Sequence, residues 1–427
     1  MCMEKYKVDL QSNRINSDKN NCSILDKVLD YKIKVDVHET LGLNLIRKSP
    51  TVSICDREVL VHERHSNNTL KALMFGSNNY LGAIANEGVI NKSIEATKEF
   101  GIGSGGVPIL SGTTYYHDLL EKKLSQIYGF DDTMLFSSGF TANLGVILGL
   151  IRPNNLILQD KLNHASLIDG GLMSGAKMLR YKHNDPEDLN RILNQYHKGF
   201  PNGILVVTDG VFSMDGDIAN LPELLEVTAK YNALLLIDEA HSTGVIGRKG
   251  YGTLSHHNIT NRKNIIISGT LSKALGSVGG YISACQEIID YLRIYARSNL
   301  YSTSLPPSVC ASSLEVLNIM DNTNVVEKLN NNAKYLRNVL REKGYNILNT
   351  VTPIIPVIIG DEYKLSEISK YLLEQGIYTS YIQPPAVPLG TCRIRINVME
   401  SHTIEDMDYF VSVLDKANMM YNFKEAN

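Results

Sequence analysis

A carboxylate, an imidazole and an amine occur at positions from which they could bind one ligand. Asp238 and His241 stand three residues apart at the end of the apolar run LLLI, and Lys273 follows the run NIIIS. The pKa of a lysine shifts readily on desolvation, so a lysine just beyond a buried strand suits Schiff-base chemistry with a carbonyl compound. A solvated loop lysine and a core histidine would also explain these residues if each is considered alone.

The letters DEAH at 238–241 also form a box known from nucleotide-driven helicases. Such a motor requires a phosphate-binding loop of the form GxxxxGK[ST], and the sequence contains neither Gly-Lys-Ser nor Gly-Lys-Thr. The formal net charge of -3 gives no overall attraction to nucleic acid. The helicase interpretation therefore fails, and no nucleic-acid partner is predicted.

A second motif, GIGSGG at 101–106, matches the GxGxxG pattern of dinucleotide-binding enzymes. It follows the helical segment IEATKEF instead of a strand, and Pro108 interrupts the place where a helix should begin. The motif is thus better explained as a flexible Gly-rich loop near a substrate than as a dehydrogenase fingerprint.

The residues around Lys273 favour pyridoxal phosphate as the ligand. Such a site needs an imine lysine, a carboxylate on the ring nitrogen and donors for the phosphate. Asp238 could keep the ring nitrogen protonated, which makes the ring an electron sink, and His241 could reach the ring hydroxyl. In FSSGFTAN, Gly139 and Phe140 would present backbone N–H groups at a helix start, where the dipole favours phosphate. Together these groups predict a pyridoxal phosphate site.

The surrounding pattern indicates how these residues are positioned. Short apolar runs alternate with amphipathic helices, as expected for parallel strands buried on both faces. The runs cover residues 132–138, 155–160, 177–183, 204–209, 233–238 and 264–270. Ligands in such α/β sheets bind beyond the carboxyl ends of the strands, where Asp160, Asp209, Asp238 and Lys273 are found.

A smaller α+β domain is predicted after about residue 305. Helical patterns give way to strands and a closing helix; they cover 305–320, 325–344, 353–360, 377–382, 392–398 and 404–420. The predicted division is an N-terminal leader and arm at 1–60, a large α/β domain at 61–304 and a C-terminal domain at 305–427.

Composition places the chain among soluble globular enzymes. Of the 427 residues, 43% are hydrophobic and 20% charged, and no apolar run is long enough to span a bilayer. The N-terminal letters lack the apolar segment of a signal peptide. The six cysteines show no CxxC or metal-like spacing, so reduced thiols, a cytoplasmic location and no metal site are predicted; they are Cys2, Cys22, Cys55, Cys285, Cys310 and Cys392.

The sequence from about residue 40 to 415 resembles the α-oxoamine synthases. This family of fold-type-I pyridoxal phosphate enzymes joins an amino acid to an acyl thioester. The resemblance is carried by GSNNYLG, SGTTYYHDLLE, FSSGFTAN, NHASLIDG, HNDPEDL, DGVFSMDGDIANLPEL, IDEAHSTGVIG, GTLSKALGSVGG, YSTSLPPS and CRIRINV. It implies an aspartate-aminotransferase-like fold and a homodimer whose active site lies at the subunit interface.

The resemblance also implies roles for individual residues. Lys273 would hold the cofactor and remove the substrate Cα proton, Asp238 would pair with the ring nitrogen, and His241 would bond the ring oxygen. His164 would stack on the ring. Further cofactor contacts would come from Gly139, Phe140, Ser213 and Thr270, with Ser302 and Thr303 reaching the phosphate of the partner subunit. The substrate carboxylate would be held by Arg395, with Arg393 the weaker choice, and by Asn78.

The implied reaction is a decarboxylative Claisen condensation of an amino acid with an acyl thioester, carried by coenzyme A or an acyl carrier protein. The family includes 8-amino-7-oxononanoate synthase, serine palmitoyltransferase, 5-aminolevulinate synthase and 2-amino-3-ketobutyrate CoA ligase, which is a glycine C-acetyltransferase. Many members carry an arginine just after the Gly-rich loop, where this chain has Val107 and Pro108. The amino acid and the acyl chain stay open, and an aminotransferase or another enzyme of the same fold is the alternative activity.

Overall fold

The computed structural model describes residues 23–40, 49–64 and 67–424. The predicted leader at 1–22, with Cys2 and Cys22, lies outside the described residues. The arm begins with helix α1, Ile24–Thr40, where a helical pattern is predicted. Strands β1, Glu58–His62, and β2, Thr69–Met74, then pair as an antiparallel hairpin.

The centre of the protein is a seven-stranded sheet. Its strands are β3 Asp132–Phe136, β4 Leu156–Asp160, β5 Lys177–Tyr181, β6 Ile204–Asp209, β7 Leu234–Asp238, β8 Ile265–Thr270 and β9 Gly280–Ala284. Their order is β3-β9-β8-β7-β6-β4-β5, and β9 alone runs antiparallel to its neighbours. The predicted, mainly parallel sheet is confirmed, with β9 as an additional strand.

Helices cover both faces of this sheet, which explains why its strands are apolar on both sides. They are α2 Glu87–Phe100, α3 Tyr115–Tyr128, α4 Gly139–Leu150, α5 Ala165–Met173, α6 Pro186–Tyr196, α7 Leu221–Lys230, α8 Gly252–His256, α9 Gln286–Tyr295 and α10 Arg297–Leu300. Strands β4, β6 and β8 are buried along their whole length. Sequestering these side chains from water is the main driving force that fixes the sheet edge carrying the site.

The C-terminal part forms a second layered unit. It contains α11 Pro307–Asn322, α12 Val325–Glu342, β10 Ile354–Gly360, α13 Glu362–Glu374, β11 Ile377–Tyr378, β12 Ser380–Ile382, β13 Cys392–Asn397 and α14 Ile404–Tyr421. Strands β10, β13 and β12 form an antiparallel sheet. The helix α13 is not among the predicted elements.

A strand pair and a helix contact are among the interactions that join the C-terminal part to earlier segments. Strand β11 pairs in parallel with β2, so the hairpin of residues 58–74 becomes a three-stranded sheet with a C-terminal strand. Helix α11 packs against α2 and α3. The boundaries proposed at residues 60 and 304 stay predictions. Among the described residues, no helix has both the length and the apolarity needed to cross a membrane.

Candidate active site

Two of the predicted site residues, Asp238 and Lys273, lie at the carboxyl edge of the large sheet. Asp209 ends β6 and is the register partner of Asp238, which ends β7, and Asp238 is in turn paired with Ser268 of β8. Because these strands are parallel, their ends meet at one edge. Lys273 follows directly after β8, so the chain delivers two carboxylates and an amine to one place.

Asp238 is buried and held by two hydrogen bonds. Asn143 Nδ2 donates to its Oδ2 at 2.7 Å, and the backbone N–H of Ala240 donates to its Oδ1 at 2.9 Å. The same Asn143 nitrogen lies 2.8 Å from Ser166 Oγ, which is itself 2.8 Å from His164 Nδ1. This chain of contacts fixes the orientation of Asp238 relative to His164.

His164 begins α5, and its side chain is exposed at the edge of the site. Its backbone N–H donates to Asp209 Oδ2 at 2.8 Å, and the ring of Phe140 lies edge-on to its own ring at 6.5 Å. Desolvation by the surrounding protein lowers the pKa of His164, Asp238 opposes this shift, and the Lys273 charge lowers it further. A neutral imidazole with an open face is suited to stacking on a flat ring.

His241 is buried, and its Nδ1 lies 3.0 Å from the hydroxyl of Tyr80. Burial holds the pKa of His241 well below its usual value, and the charges of Lys273 and Arg395 lower it further. The ring is therefore neutral at physiological pH, and its hydrogen bonding is set by Tyr80.

Lys273 has the electrostatics expected of a reactive amine. The pKa of its ammonium group is lowered to about 8, chiefly by burial; the Arg395 charge also lowers it, whereas Asp238 and Asp209 oppose the shift. Roughly a tenth of the amine is therefore uncharged at pH 7, a few hundred times more than for a lysine with the ordinary pKa of about 10.4. An uncharged amine can attack a carbonyl or accept a proton.

Arg395 has one donor left over. Its Nε donates to the Ser213 carbonyl at 2.6 Å and its Nη1 to Asn78 Oδ1 at 3.1 Å, while the buried Nη2 has no partner among the described residues. Asn78 Oδ1 also accepts from Tyr80 and from Asn397, each at 3.3 Å. A buried guanidinium with a free donor is a site for a carboxylate.

Arg393 is occupied in a different way. It lies two residues before Arg395 on the same face of β13, but its Nη1 pairs with Asp215 and donates to the Met214 carbonyl at 3.1 Å. Its Nε donates to the Thr391 carbonyl at 3.0 Å. These bonds leave Arg393 with a structural role, which supports Arg395 as the residue open to a ligand.

Helix α4 begins at the point where an anion is predicted to bind. The Ser138 side chain caps the helix by accepting from Thr141 N, whereas the N–H groups of Gly139 and Phe140, at the first two positions, have no intrahelical acceptor. A Cβ atom on Gly139 would lie 3.0 Å from Thr270 Cβ. Glycine therefore allows the helix start to approach Thr270, as a shared phosphate site requires. The Thr270 hydroxyl donates to the Gly279 carbonyl at 2.9 Å.

Ser302 and Thr303 lie beside a cavity that is also lined by Ser137 and His117 of the same chain. Their predicted contact with the phosphate of a partner subunit concerns a second copy of the chain, so it stays a prediction. Because Ser302 and Thr303 line this cavity, they are accessible to a ligand held by their own chain or by a second copy.

Two important residues are missing from the sequence-based set, and a third has a role that the sequence does not predict. Tyr80 bonds both His241 and Asn78, and Asn143 orients Asp238. Asp209 was noted as a strand end only, yet it anchors the backbone of His164. Asn143 stands one helical turn after Gly139 within FSSGFTAN, and Tyr80 belongs to GSNNYLG, so the quoted motifs contained both residues.

Comparison with known proteins gives the family. Residues 71–414 match the family described as aminotransferase class I and II. A putative 8-amino-7-oxononanoate synthase from Acetivibrio thermocellus is 43% identical over 340 residues, which cover 79% of this chain and 87% of that protein. The chain belongs to the α-oxoamine synthases, within the class I and II aminotransferase family.

Solved structures of the same family have the same fold. A serine palmitoyltransferase with pyridoxal phosphate as an internal aldimine superposes with a TM-score of 0.87 at 28% identity, covering 94% of this chain and all of that one. An 8-amino-7-oxononanoate synthase from Francisella tularensis gives 0.70 at 26% identity, covering 82% and 99%. The predicted family, fold type I, cofactor and acyltransferase class are thereby confirmed for this α-oxoamine synthase.

The residues present fit pyridoxal phosphate. The buried carboxylate of Asp238 can pair with a protonated ring nitrogen, and the amine of Lys273 can bond a carbonyl carbon. The N–H groups at the helix start of Gly139 can bind a phosphate. The charge of Arg395 acts on Lys273 and His241, and its buried Nη2, without a partner in the described part of the chain, fits the carboxylate of an amino acid. The site of this α-oxoamine synthase therefore has a complement for each charged part of the cofactor and for the amino acid.

Proposed function

We propose that this α-oxoamine synthase joins alanine to a seven-carbon dicarboxylic acyl thioester and so forms 8-amino-7-oxononanoate. Relatives at 43% and 44% identity, from Acetivibrio thermocellus and Petrotoga mobilis, are named for that product. Carbons 8 and 9 of the product match the Cα and methyl of alanine, and the other seven match a heptanedioyl group. The single observation that carries the site assignment is the buried, unpaired Nη2 of Arg395 close to the charge of Lys273.

The overall reaction balances without another reactant. The Cα–carboxylate bond of the amino acid breaks to release carbon dioxide, the C–S bond of the thioester breaks to release a thiolate, and a bond forms between Cα and the acyl carbon. When bound, pyridoxal phosphate supplies an electron sink for the charge that develops at Cα. The protein has to hold the amino acid, move one proton and exclude water.

Each of these tasks has a residue suited to it. The amine of Lys273, with its pKa lowered to about 8 chiefly by burial, accepts the Cα proton. Arg395 and Asn78 hold the amino-acid carboxylate through the free Nη2 and the amide. The neutral, exposed ring of His164 covers one face of the cofactor, which keeps solvent from the reacting carbon.

The remaining cofactor contacts follow the polar ends of the strands. Asp238 would pair with the ring nitrogen, and His241 and Ser213 would bond the ring oxygen. The N–H groups of Gly139 and Phe140 would hold the phosphate, together with the hydroxyl of Thr270 once it turns from the Gly279 carbonyl. Phosphate recognition is then shared between a helix N-terminus and a side chain, a common arrangement for anions.

We propose a homodimer with the site at its interface. In this dimer, Ser302 and Thr303 of a second copy would add contacts to that phosphate. The dimer is supported by large apolar side chains that are exposed in the single chain, including Ile102 in the Gly-rich loop, Leu110 just after it and Tyr301 beside Ser302. We propose a cytoplasmic location, which the cysteine pattern supports.

Serine with a long-chain acyl thioester is the second candidate. It is favoured by the similarity to serine palmitoyltransferase over 94% of the chain, with a TM-score of 0.87. It is favoured too by Val107 and Pro108, since the Gly-rich loop offers no arginine for the far carboxylate of a dicarboxylic chain. The two candidates differ in both substrates, so one assay separates them.

The decisive assay pairs each amino acid with each acyl group. Purified protein loaded with pyridoxal phosphate is mixed with alanine, glycine or serine and with heptanedioyl, acetyl or hexadecanoyl coenzyme A, and thiol release is followed. We expect kcat/KM to be greatest for alanine with the heptanedioyl thioester, by about tenfold or more over the other pairs. A maximum for serine with the hexadecanoyl thioester would replace this proposal by the second candidate. Equal, background release for every pair would overturn both.

A further inference from the structure

The histidine of the HNDPEDL segment bridges two aspartates. His183 Nδ1 lies 3.0 Å from Asp160 Oδ1, and its Nε2 lies 3.0 Å from Asp217 Oδ2. Its ring stands edge-on to Phe212 at 4.4 Å, which fixes the ring plane. Asp160 is the fully buried end of β4, whereas Asp217 belongs to the loop after β6. His183 thus ties that loop to the sheet.

The same loop, residues 211–220, carries the acceptors that hold the two arginines of β13. The Ser213 carbonyl accepts from Arg395 Nε at 2.6 Å, and Asp215 pairs with Arg393. The Gly216 carbonyl accepts from the hydroxyls of Thr350 and Thr352 in the C-terminal part. The loop is therefore bonded to the C-terminal part on one side and, through His183, to the sheet edge on the other.

We propose that His183 is a positioning residue that sets the place of Arg395 relative to Lys273, by holding Asp217 against the end of β4. The inference rests on the proposed function, because it assumes that Arg395 holds the amino-acid carboxylate. Arg395, which holds the carboxylate, belongs to the C-terminal part, whereas Lys273 follows a strand of the large sheet. The substrate Cα therefore reaches the Lys273 amine only if the distance between the two parts is kept. A shift of about 1 Å in such a spacing can cost 10²-fold in rate.

The charge of His183 favours hydrogen bonds to both aspartates at physiological pH. Burial alone would lower the pKa of His183, but the hydrogen bonds and charges of Asp160 and Asp217 raise it to about 10. The ring is then an imidazolium at physiological pH, with an N–H for each aspartate. His183, Asp215 and Asp217 also offer ligand atoms within 4.8 Å of one another, but Arg393 already holds Asp215 and both ring nitrogens are bonded. A bridge explains the cluster without a metal ion.

Two substitutions of His183 test its hydrogen bonds to Asp160 and Asp217 separately. His183→Asn keeps an amide donor near the Nδ1 position and so keeps the bond to Asp160, whereas His183→Gln keeps a donor near Nε2 and the bond to Asp217. If the loop tether positions Arg395, His183→Asn should lower kcat/KM for the amino acid about tenfold, through kcat as well as KM, with the thioester KM within about threefold. His183→Gln should stay within about threefold of the wild type in kcat/KM but lose more thermal stability, because Asp160 Oδ1 loses the side-chain donor that His183→Asn keeps.

The control is His197→Asn, since His197 is a half-buried histidine bonded to a backbone carbonyl at the end of α6. Steady-state kinetics and thermal denaturation of the loaded proteins give all the readouts. Equal kcat/KM values for the amino acid in the two His183 variants, whether lowered or unchanged, would overturn the inference while wild-type turnover leaves the proposed function standing. A wild type that releases no thiol with any substrate pair overturns both.

Discussion

Replacing Lys273 by alanine should abolish the visible absorption of the bound cofactor and reduce kcat by on the order of 10⁴-fold or more. The variant loses both the amine that bonds the cofactor and the group that accepts the Cα proton. Burial sets the lowered pKa of Lys273, and neighbouring charges adjust it, so a surface lysine does not replace it. The measurement is an absorption spectrum of the purified, loaded protein together with thiol release under saturating substrates.

The matched control for this variant is Lys263→Ala. Lys263 is exposed just before β8, at the end of the strand opposite Lys273. It should retain the wild-type spectrum and turnover. A Lys273→Ala protein that kept the wild-type absorption band, or more than about a tenth of wild-type turnover, would remove Lys273 from the chemistry.

Replacing Arg395 by lysine should lower kcat/KM for the amino acid by about 10²-fold, mainly through KM. Arg395 bonds the Ser213 carbonyl and Asn78 with two nitrogens and keeps the third free. An ammonium group cannot fill all three positions with the same planar geometry, so the carboxylate loses an aligned, charge-assisted bond. Amino-acid titration followed by the absorbance of the bound cofactor gives the binding constant directly.

Arg152→Lys is the control for the arginine substitution. Arg152 is exposed, and its guanidinium donates to the Leu148 and Ile151 carbonyls at the end of α4. The thioester KM should be unchanged in both variants. If Arg395→Lys bound alanine as tightly as the wild type, the carboxylate site would have to lie elsewhere.

The sheet and the strand-end residues could be predicted because their signals are local. A buried parallel strand needs apolar residues on both faces, and the chain must turn at its carboxyl end, so Asp209, Asp238 and Lys273 stand out from short windows of sequence. The signal for the proposed phosphate site at Gly139 is local as well, since a cap, a glycine and a helix start lie within four residues. These features require no knowledge of distant contacts.

Contacts between distant segments could not be read in this way. Tyr80 and His241 are 161 residues apart and Asn143 and Asp238 are 95 apart, and nothing in either local pattern specifies these pairs. Strand β9 runs antiparallel between β3 and β8, and its short, Gly-flanked segment has no periodicity that would indicate its place.

The choice between Arg393 and Arg395 also depends on distant residues. Both side chains share one face of β13 because they are two residues apart, so spacing favours neither. The loop after β6 distinguishes the two arginines. Asp215 pairs with Arg393, whereas the Ser213 carbonyl accepts from Arg395 Nε, and Arg395 Nη2 has no partner among the described residues. Only the three-dimensional arrangement of that loop distinguishes a structural arginine from a binding one.

The most direct measurement of the central claim is the stoichiometry of a single reaction. Protein loaded with pyridoxal phosphate is given alanine labelled in its carboxyl carbon and heptanedioyl coenzyme A, and carbon dioxide, thiol and amino ketone are counted together. We expect equal amounts of all three, with no reaction when either substrate is omitted. Formation of pyruvate from alanine in the absence of thioester, with no thiol release when it is added, would contradict a condensing enzyme and indicate an aminotransferase.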